Sequence, residues 1–280
     1  MCELLAMSSS QPARLTFSLH ALASHGRKDD SSRDGWGVAF YQGNDVALFR
    51  EPGAAGDSGL VRYLERHGPS TNLAVSHIRH ATQGQISLAN TQPFVRELGG
   101  RMQLFAHNGD LHGVGDLNAR SVGSFHSVGN TDSELAFCIL LNRLAALWSR
   151  GEVPSLDSRM RLISTFADEL RKLGPANFFY ADADTLFVHA HRRIQSHSKR
   201  IEPPGLWMVE RHCNEPVVAA ADGAGISLSN AYGCALLFAS VPLTDENWLP
   251  LGEGDLLAVR AGQVLDRRRL QQPTIHAVID

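Results

Sequence analysis

The stretch MCELLAM (residues 1–7) opens the chain with a cysteine directly after methionine and then an apolar run. The run predicts a short buried strand, which the serines at residues 8–10 and Pro12 are expected to end. If Met1 is removed, the Cys2 thiol and a free α-amino group share one carbon. Such an amino group has a pKa of ~8 and can serve as a base. Cys2 is therefore a candidate N-terminal nucleophile, beside the simpler interpretation that it is a small buried residue.

Beyond this stretch, the patterns predict strands first, then two helices, then strands again. The early strands are expected at residues 36–49 (a hairpin), 73–78 and 102–106. Residues 130–150 and 156–170 carry apolar positions three or four apart, and the first of these segments begins with a capping box. Further strand signals run from residue 178 to residue 265. This order is typical of an α+β protein with two mainly antiparallel sheets, rather than of alternating βαβ units.

The composition limits the classes of protein to consider. The 280 residues carry a net charge of −3 and no basic block, which argues against nucleic acid and anionic membranes as partners. The four cysteines form no CxxC pair, which favours a reducing compartment. No apolar run approaches the ~20 residues of a membrane helix. We expect a cytoplasmic protein with one domain over residues 2–280.

Residues 76–84 read SHIRHATQG, a predicted strand that ends in polar residues. The planar guanidinium of Arg79 can grip a carboxylate through two hydrogen bonds, and Thr82 adds a hydroxyl. The alternatives are a solvated surface loop and, less well supported, a metal site at His77 and His80. No carboxylate stands at ligand spacing beside these histidines, and no metal is expected.

Residues 105–110 read FAHNGD, an apolar strand followed by Asn-Gly. Asn-Gly is a strong signal for a type I′ hairpin turn. The functional alternative is an oxyanion hole, in which the Asn108 amide and the Gly109 N–H both face a developing negative oxygen. Taken alone, the dipeptide favours the turn.

Asp132 lies near the predicted N-terminus of the first long helix, where the helix dipole alone favours an acid. It can equally bind an ammonium group. Together, these stretches supply every contact that glutamine needs. Arg79 would hold the α-carboxylate and Asp132 the α-ammonium, while Cys2 attacks the side-chain amide beside Asn108 and Gly109.

The same stretches carry a resemblance to the class II glutamine amidotransferases of the N-terminal-nucleophile hydrolase group, in particular to the stand-alone YafJ-type members. The matching segments are MCELL (1–5), DGWGVAFY (34–41), HIRHATQG (77–84), NTQPF (90–94), AHNGDL (106–111) and NTDSELAF (130–137). The resemblance implies a four-layer αββα sandwich with two mainly antiparallel sheets. It also implies that Cys2, Asn108 and Gly109 are catalytic, that Arg79, Thr82 and Asp132 bind the substrate, and that no cofactor is needed.

The implied reaction is hydrolysis of a γ-glutamyl amide, with glutamine giving glutamate and ammonia. A tryptophan follows the carboxylate-binding arginine in members that are fused to synthases, whereas this chain has His80 there. Two alternatives therefore stay open: a γ-glutamyl peptidase acting on a glutathione-like thiol conjugate, and a catalytically silent glutamine-binding subunit. A metallohydrolase is a more distant possibility. A separate ammonia-accepting protein is a possible partner.

Overall fold

The computed structural model of the chain describes residues 2–14, 34–80, 85–118, 123–148, 152–213, 227–228 and 233–270. The strands in these ranges are β1 (Glu3–Arg14), β2 (Trp36–Gln42), β3 (Asp45–Glu51), β4 (Thr71–Ile78), β5 (Phe94–Leu98), β6 (Arg101–Gly109), β7 (Ala176–Ala181), β8 (Leu186–His189), β9 (Arg193–Ile194), β10 (Ile201–Glu202), β11 (Trp207–Cys213), β12 (Ser227–Leu228), β13 (Gly233–Ala239), β14 (Leu249–Pro250), β15 (Asp255–Arg260) and β16 (Gln263–Arg269). The α-helices there are α1 (Gly59–His67), α2 (Val114–Asn118), α3 (Asp132–Leu144) and α4 (Leu156–Arg171).

Strand β1 lies in the middle of the first sheet, whose order is β14-β11-β13-β1-β4-β2-β3 with β12 also paired to β1. All of its pairings are antiparallel, and Leu5 stands between Ser76 of β4 and Ala239 of β13. The predicted hairpin is confirmed as β2 and β3, which pair from Trp36↔Glu51 to the turn after Gln42. The start of β1 and the end of β4 therefore lie side by side, at Glu3↔Ile78.

The prediction that serines 8–10 and Pro12 end the first strand was wrong. The strand continues to Arg14, with a register shift between Ser8 and Ala13. The serine hydroxyls find backbone partners: Ser8 accepts a hydrogen bond over 3.1 Å from the N–H of Gly262, in the turn between β15 and β16, and Ser10 accepts one from the Cys234 N–H over 2.8 Å. A buried hydroxyl that has a partner costs little, so the serines do not interrupt the strand.

The second sheet has six antiparallel strands in the order β16-β15-β8-β7-β6-β5. Three buried clusters separate the layers. One lies between the sheets and includes Leu4 and Phe179, one joins the outer face of the first sheet to α1, and one joins the outer face of the second sheet to α3 and α4. These layers confirm the predicted α+β, four-layer αββα sandwich.

The two long helices lie where their periodicity predicted them, although the first is shorter than residues 130–150. Thr131 caps α3 by accepting a hydrogen bond from the Glu134 N–H over 3.3 Å, but the return bond of a full capping box is replaced. The Glu134 carboxylate instead accepts the Gly129 N–H and pairs with Arg96 at 2.5 Å. These contacts hold the segment before α3 against the second sheet. None of the helices in the ranges above has the length and apolarity to cross a membrane.

Candidate active site

Cys2 directly precedes β1 and lies against the chain that leaves β4. Its Sγ is 3.3 Å from the N–H that His80 donates, and the thiol donates in turn to the His80 carbonyl over 3.4 Å. The residue is half-buried. Burial raises the pKa of the Cys2 thiol, against smaller lowering effects of the His80 N–H and of the Arg79 charge. In this arrangement the thiol holds its proton, and a base is needed to make it a nucleophile.

Asn108 brings the second sheet to Cys2. Its side-chain amide donates to the Cys2 carbonyl oxygen over 2.6 Å and to the Ser240 hydroxyl over 3.3 Å. The turn predicted at Asn-Gly was wrong, because Asn108 and Gly109 are the last residues of β6 and pair with Asn177 and Ala176 of β7. Pairing with β7 keeps both residues in the strand, so no hairpin turn forms here.

Gly109 occupies a place with no room for a side chain. A Cβ atom at this position would lie 1.7 Å from the Pro175 carbonyl oxygen and 2.9 Å from the His107 Nε2. Only glycine at position 109 lets its backbone come this close to the backbone of Pro175. The oxyanion role of Asn108 and Gly109 stays a prediction. The Asn108 amide does lie within hydrogen-bond distance of the Cys2 carbonyl.

Arg79 follows β4 and is buried. Its N–H donates to the Gly35 carbonyl over 2.8 Å, and its Nη1 lies 3.3 Å from both the Asp34 and the Gln85 carbonyl oxygens. The backbone on both sides thus holds the guanidinium close behind His80 and Cys2. Thr82, the other residue predicted in this stretch, lies outside the described residues, as does Met1.

Asp132 is the first residue of α3 and is half-buried. Its Oδ2 accepts the Leu111 N–H over 2.7 Å, and its Oδ1 accepts the Ser133 N–H over 2.7 Å. Because Leu111 comes just after β6, this carboxylate ties the start of α3 to the segment that carries Asn108 and Gly109. Each carboxylate oxygen has further lone pairs for a ligand.

Arg79 and Asp132 are connected through two asparagines that the sequence-based prediction of the site left out. The buried Asn90 donates to the Gln85 carbonyl over 2.9 Å and to the Asn130 Oδ1 over 2.8 Å, and its own Oδ1 accepts the Asn130 N–H over 2.9 Å. Gln85 also accepts from Arg79, and Asn130 stands two residues before Asp132. Their spacing gives no signal, since 40 residues separate them. The NTQPF stretch contains Asn90 and the NTDSELAF stretch contains Asn130, but neither stretch points to a contact between them.

Two buried histidines lie beside these groups. Burial lowers the pKa of His77 to about 3 and also lowers the pKa of His107, whose Nδ1 is 2.9 Å from the Ser133 hydroxyl. Both imidazoles are therefore neutral near pH 7. In the part of the chain that the structure describes, no three His, Cys, Asp or Glu side chains are grouped to hold a metal ion.

Comparison with known proteins places the chain in a family. The family model described as glutamine amidotransferases class-II matches residues 1–278. YafJ of Escherichia coli K12 is 35% identical over 200 residues, which are 71% of this chain and 77% of YafJ. A crystal structure of a predicted glutamine amidotransferase from Pseudomonas aeruginosa PA01 superposes with a TM-score of 0.66 at 30% identity, covering 95% of this chain and 100% of that one.

A more distant structure agrees on the fold. Glutamine phosphoribosylpyrophosphate amidotransferase from B. subtilis superposes with a TM-score of 0.60 at 14% identity, over 97% of this chain and 50% of that chain. At this identity the likeness concerns the fold alone, and it is the same pair of antiparallel sheets between helices. On the family model and on the relatives at 30% identity or more, the chain belongs to the class II glutamine amidotransferase family.

Proposed function

We propose that this chain hydrolyses a γ-glutamyl amide, with glutamine giving glutamate and ammonia, and that residues 2–280 act as one domain after Met1 is removed. Besides family membership, the observation that carries the proposal is the 2.6 Å hydrogen bond between the Asn108 amide and the Cys2 carbonyl. This bond puts the proposed oxyanion donor beside the proposed nucleophile. The protein is then a cytoplasmic hydrolase that needs no cofactor.

The proposed chemistry begins at Cys2. Its freed α-amino group takes the thiol proton, and the thiolate attacks the amide carbon of the substrate. The Asn108 amide and the Gly109 N–H stabilise the oxyanion that forms, and one such donor is commonly worth ~3 kcal/mol of barrier. The ammonium group returns the proton to the leaving nitrogen, ammonia departs, and a thioester remains. Water then attacks the thioester, which releases glutamate and restores the thiol.

The substrate is held at its amino-acid end. We assign the α-carboxylate to Arg79, whose guanidinium suits a two-pronged grip, and the α-ammonium to Asp132. Thr82 is proposed to line the same pocket. The link through Asn90 supports this assignment, because it holds the two opposite charges at a fixed separation. Recognition of both groups restricts the substrate to α-amino acids that carry an unmodified γ-glutamyl end.

A second candidate is cleavage of a γ-glutamyl bond in a glutathione-like thiol conjugate. The observation that favours it is His80, a half-buried residue that stands after Arg79 and also contacts the Cys2 thiol. A smaller side chain than tryptophan leaves more room beside the leaving group. A panel of glutamine and γ-glutamyl peptides would separate the candidates, since the true substrate has the larger kcat/KM. In the glutamine case, ammonia is released or passed to a separate protein.

The test is intact-protein mass before and after treatment with an electrophilic glutamine analogue, combined with glutamate release. We expect a starting mass that lacks one methionine, a single adduct on Cys2, and loss of hydrolysis in Cys2→Ala. The control Cys234→Ser should hydrolyse and label like the wild type. Glutamine that raises Tm without any product would instead identify a silent binding subunit and contradict the proposal.

A further inference from the structure

Arg193 contacts both β1 and the residue that follows β13 in the first sheet. It begins β9, and its side chain is buried. Its Nη2 pairs with the carboxylate of Glu3 at 2.7 Å, and its Nη1 donates to the Ser240 carbonyl. Glu3 is the neighbour of Cys2, so one guanidinium joins the nucleophile's segment to the segment that follows β13.

Ser240 passes this contact on to Asn108. Its hydroxyl accepts the Leu4 N–H over 2.9 Å and lies 3.3 Å from the Asn108 amide nitrogen, which also donates to the Cys2 carbonyl. Its own N–H donates to the Leu4 carbonyl over 3.0 Å. Arg193 therefore contacts Glu3, which is the neighbour of Cys2, and Ser240, which contacts Asn108. These contacts reach both ends of the short bond between Asn108 and Cys2.

The Arg193 backbone is anchored to the same place from the second sheet. Asn177 of β7 donates to the Arg192 carbonyl over 2.7 Å and to the Asn108 carbonyl over 3.3 Å, and it accepts the His191 N–H over 2.7 Å. Asn108 is thus held on its main chain by Asn177 and on its side chain by Ser240. Both contacts connect Asn108 to the segment that carries Arg193.

Stability alone does not explain this ion pair. Glu3 and Arg193 are both buried, and the desolvation of two buried charges often cancels their attraction. Burial raises the pKa of the Glu3 carboxyl even though Arg193 opposes the rise. Apolar side chains would fill the space at lower cost, so the pair is better explained by the geometry that a planar, two-pronged guanidinium imposes.

We propose that Arg193 is a positioning residue that sets the separation of Cys2 and Asn108 by gripping Glu3 and the Ser240 carbonyl together. The inference rests on the proposed function for its catalytic consequence. The contacts of Arg193 lead to Cys2 and Asn108, so it acts on the reacting end of the substrate rather than on its amino-acid end. Lysine in its place keeps the charge but loses the two-pronged geometry.

The test compares Arg193→Lys with the matched control Arg192→Lys. Arg192 is the adjacent arginine; it also pairs with a glutamate, Glu253 at 2.6 Å, but its side chain is half-exposed. Hydrolysis of the preferred γ-glutamyl substrate is measured per active site titrated with the electrophilic analogue. We expect kcat per titrated site to fall roughly 10-fold to 100-fold in Arg193→Lys with KM within about twofold, as for a small misplacement of reacting groups. The control should match the wild type.

A purely structural role gives a different result. It lowers the titrated fraction and Tm but leaves kcat per remaining site unchanged, which would overturn the proposal. Labelling by iodoacetamide needs no oxyanion donor, so its rate on Cys2 should be unchanged; a fall in parallel with kcat would place the effect on the thiol and also overturn the proposal. Glu3→Gln, which removes the charge that Arg193 pairs with but keeps an oxygen acceptor, should reproduce the loss of kcat and serves if Arg193→Lys does not fold.

A crystallographic comparison tests the inference without any catalytic turnover. In crystal structures of the wild type and of Arg193→Lys, or of Glu3→Gln, we expect the distance from the Asn108 amide nitrogen to the Cys2 carbonyl, 2.6 Å here, to be longer in the variant than in the wild type. An unchanged distance overturns the inference. If the wild type hydrolyses no γ-glutamyl compound, the proposed function fails, and this crystallographic comparison still decides whether Arg193 positions the two residues.

Discussion

The Asn108 side-chain amide lies 2.6 Å from the Cys2 carbonyl oxygen, although 106 residues separate the two in the chain. Cys2 directly precedes the central strand of one sheet, and Asn108 is near the end of a strand in the other. The bond therefore closes one end of the sandwich and brings a strong donor beside the thiol. The Asn108 amide donates here to the Cys2 carbonyl and to the Ser240 hydroxyl, so one of its hydrogens must be redirected to serve an oxyanion.

Asn108→Ala should reduce kcat for glutamine hydrolysis by roughly 10²-fold to 10³-fold and change KM little, because an oxyanion donor acts in the transition state. Steady-state kinetics on both variants checks this. The control is Asn72→Ala, whose amide donates to the Ser9 carbonyl over 2.9 Å, well away from Cys2. An Asn108→Ala enzyme that retains a third or more of kcat would remove Asn108 from the mechanism.

Arg79→Lys should mainly raise KM, because lysine offers a point charge in place of a planar fork. A charge-assisted hydrogen bond is worth about 1.5–3 kcal/mol, so we expect KM to rise roughly 10-fold to 100-fold. The control is Arg62→Lys on α1, where the exposed Arg62 donates from Nη1 to the Gly56 carbonyl over 3.4 Å. A change in kcat without a change in KM would contradict the assignment of Arg79 to the carboxylate.

Gly109→Ala should destabilise the fold, because its Cβ would lie 1.7 Å from the Pro175 carbonyl. Forcing a methyl group into a filled space typically costs about 1–3 kcal/mol, and here the obstacle is backbone. Urea unfolding of Gly109→Ala and of Gly115→Ala measures the difference. Gly115 in α2 has open space around its Cβ direction, so that variant should match the wild type or exceed it. Equal stabilities in the two variants would show that the close approach at Gly109 does not exist in solution.

His189 should make stability fall as the pH decreases. Burial lowers its pKa from 6.5 to about 3, so below pH 6.5 the unfolded chain binds a proton that the folded protein refuses. Protons thus favour unfolding, and the loss attributable to this residue is about 2 kcal/mol at pH 5. His189→Gln should remove that share of the difference in unfolding free energy between pH 7 and pH 5. His112→Gln, at an exposed side chain, should leave the difference unchanged; an unaltered pH dependence in His189→Gln would refute the prediction.

The sequence pattern predicted the order of strands and helices well, because apolar residues recur three or four apart in both long helices and residues 36–41 of β2 are all buried. The four layers were implied by the family resemblance rather than by this pattern. The length of β1 was missed, since the pattern shows that Ser8 and Ser10 are polar but not that Gly262 and Cys234 supply their partners. The same limit applies to Asn-Gly at residue 108. Local preference favours a turn there, and only the pairing with β7 decides that both residues end a strand.

The sequence names candidate site residues where a motif carries their chemistry, and their roles stay predictions. It gives no signal for residues that act through a contact. Cys2, Arg79 and Asp132 follow from what glutamine requires, and the structure describes all three. Asn90, Asn177 and Arg193 act through partners that are distant in sequence, so no spacing marks them. A buried arginine next to a buried glutamate near the chain start is visible only once the strands are in place.

The burial of the Cys2 thiol also affects how readily this residue is oxidised when no substrate is bound. Peroxides attack thiolates far faster than thiols, and the burial of Cys2 raises the pKa of its thiol and so favours the protonated sulfur. We expect sulfenic acid formation at Cys2 to be correspondingly slow. The environment that makes the nucleophile depend on a base for each turnover therefore also protects it from oxidative damage at rest.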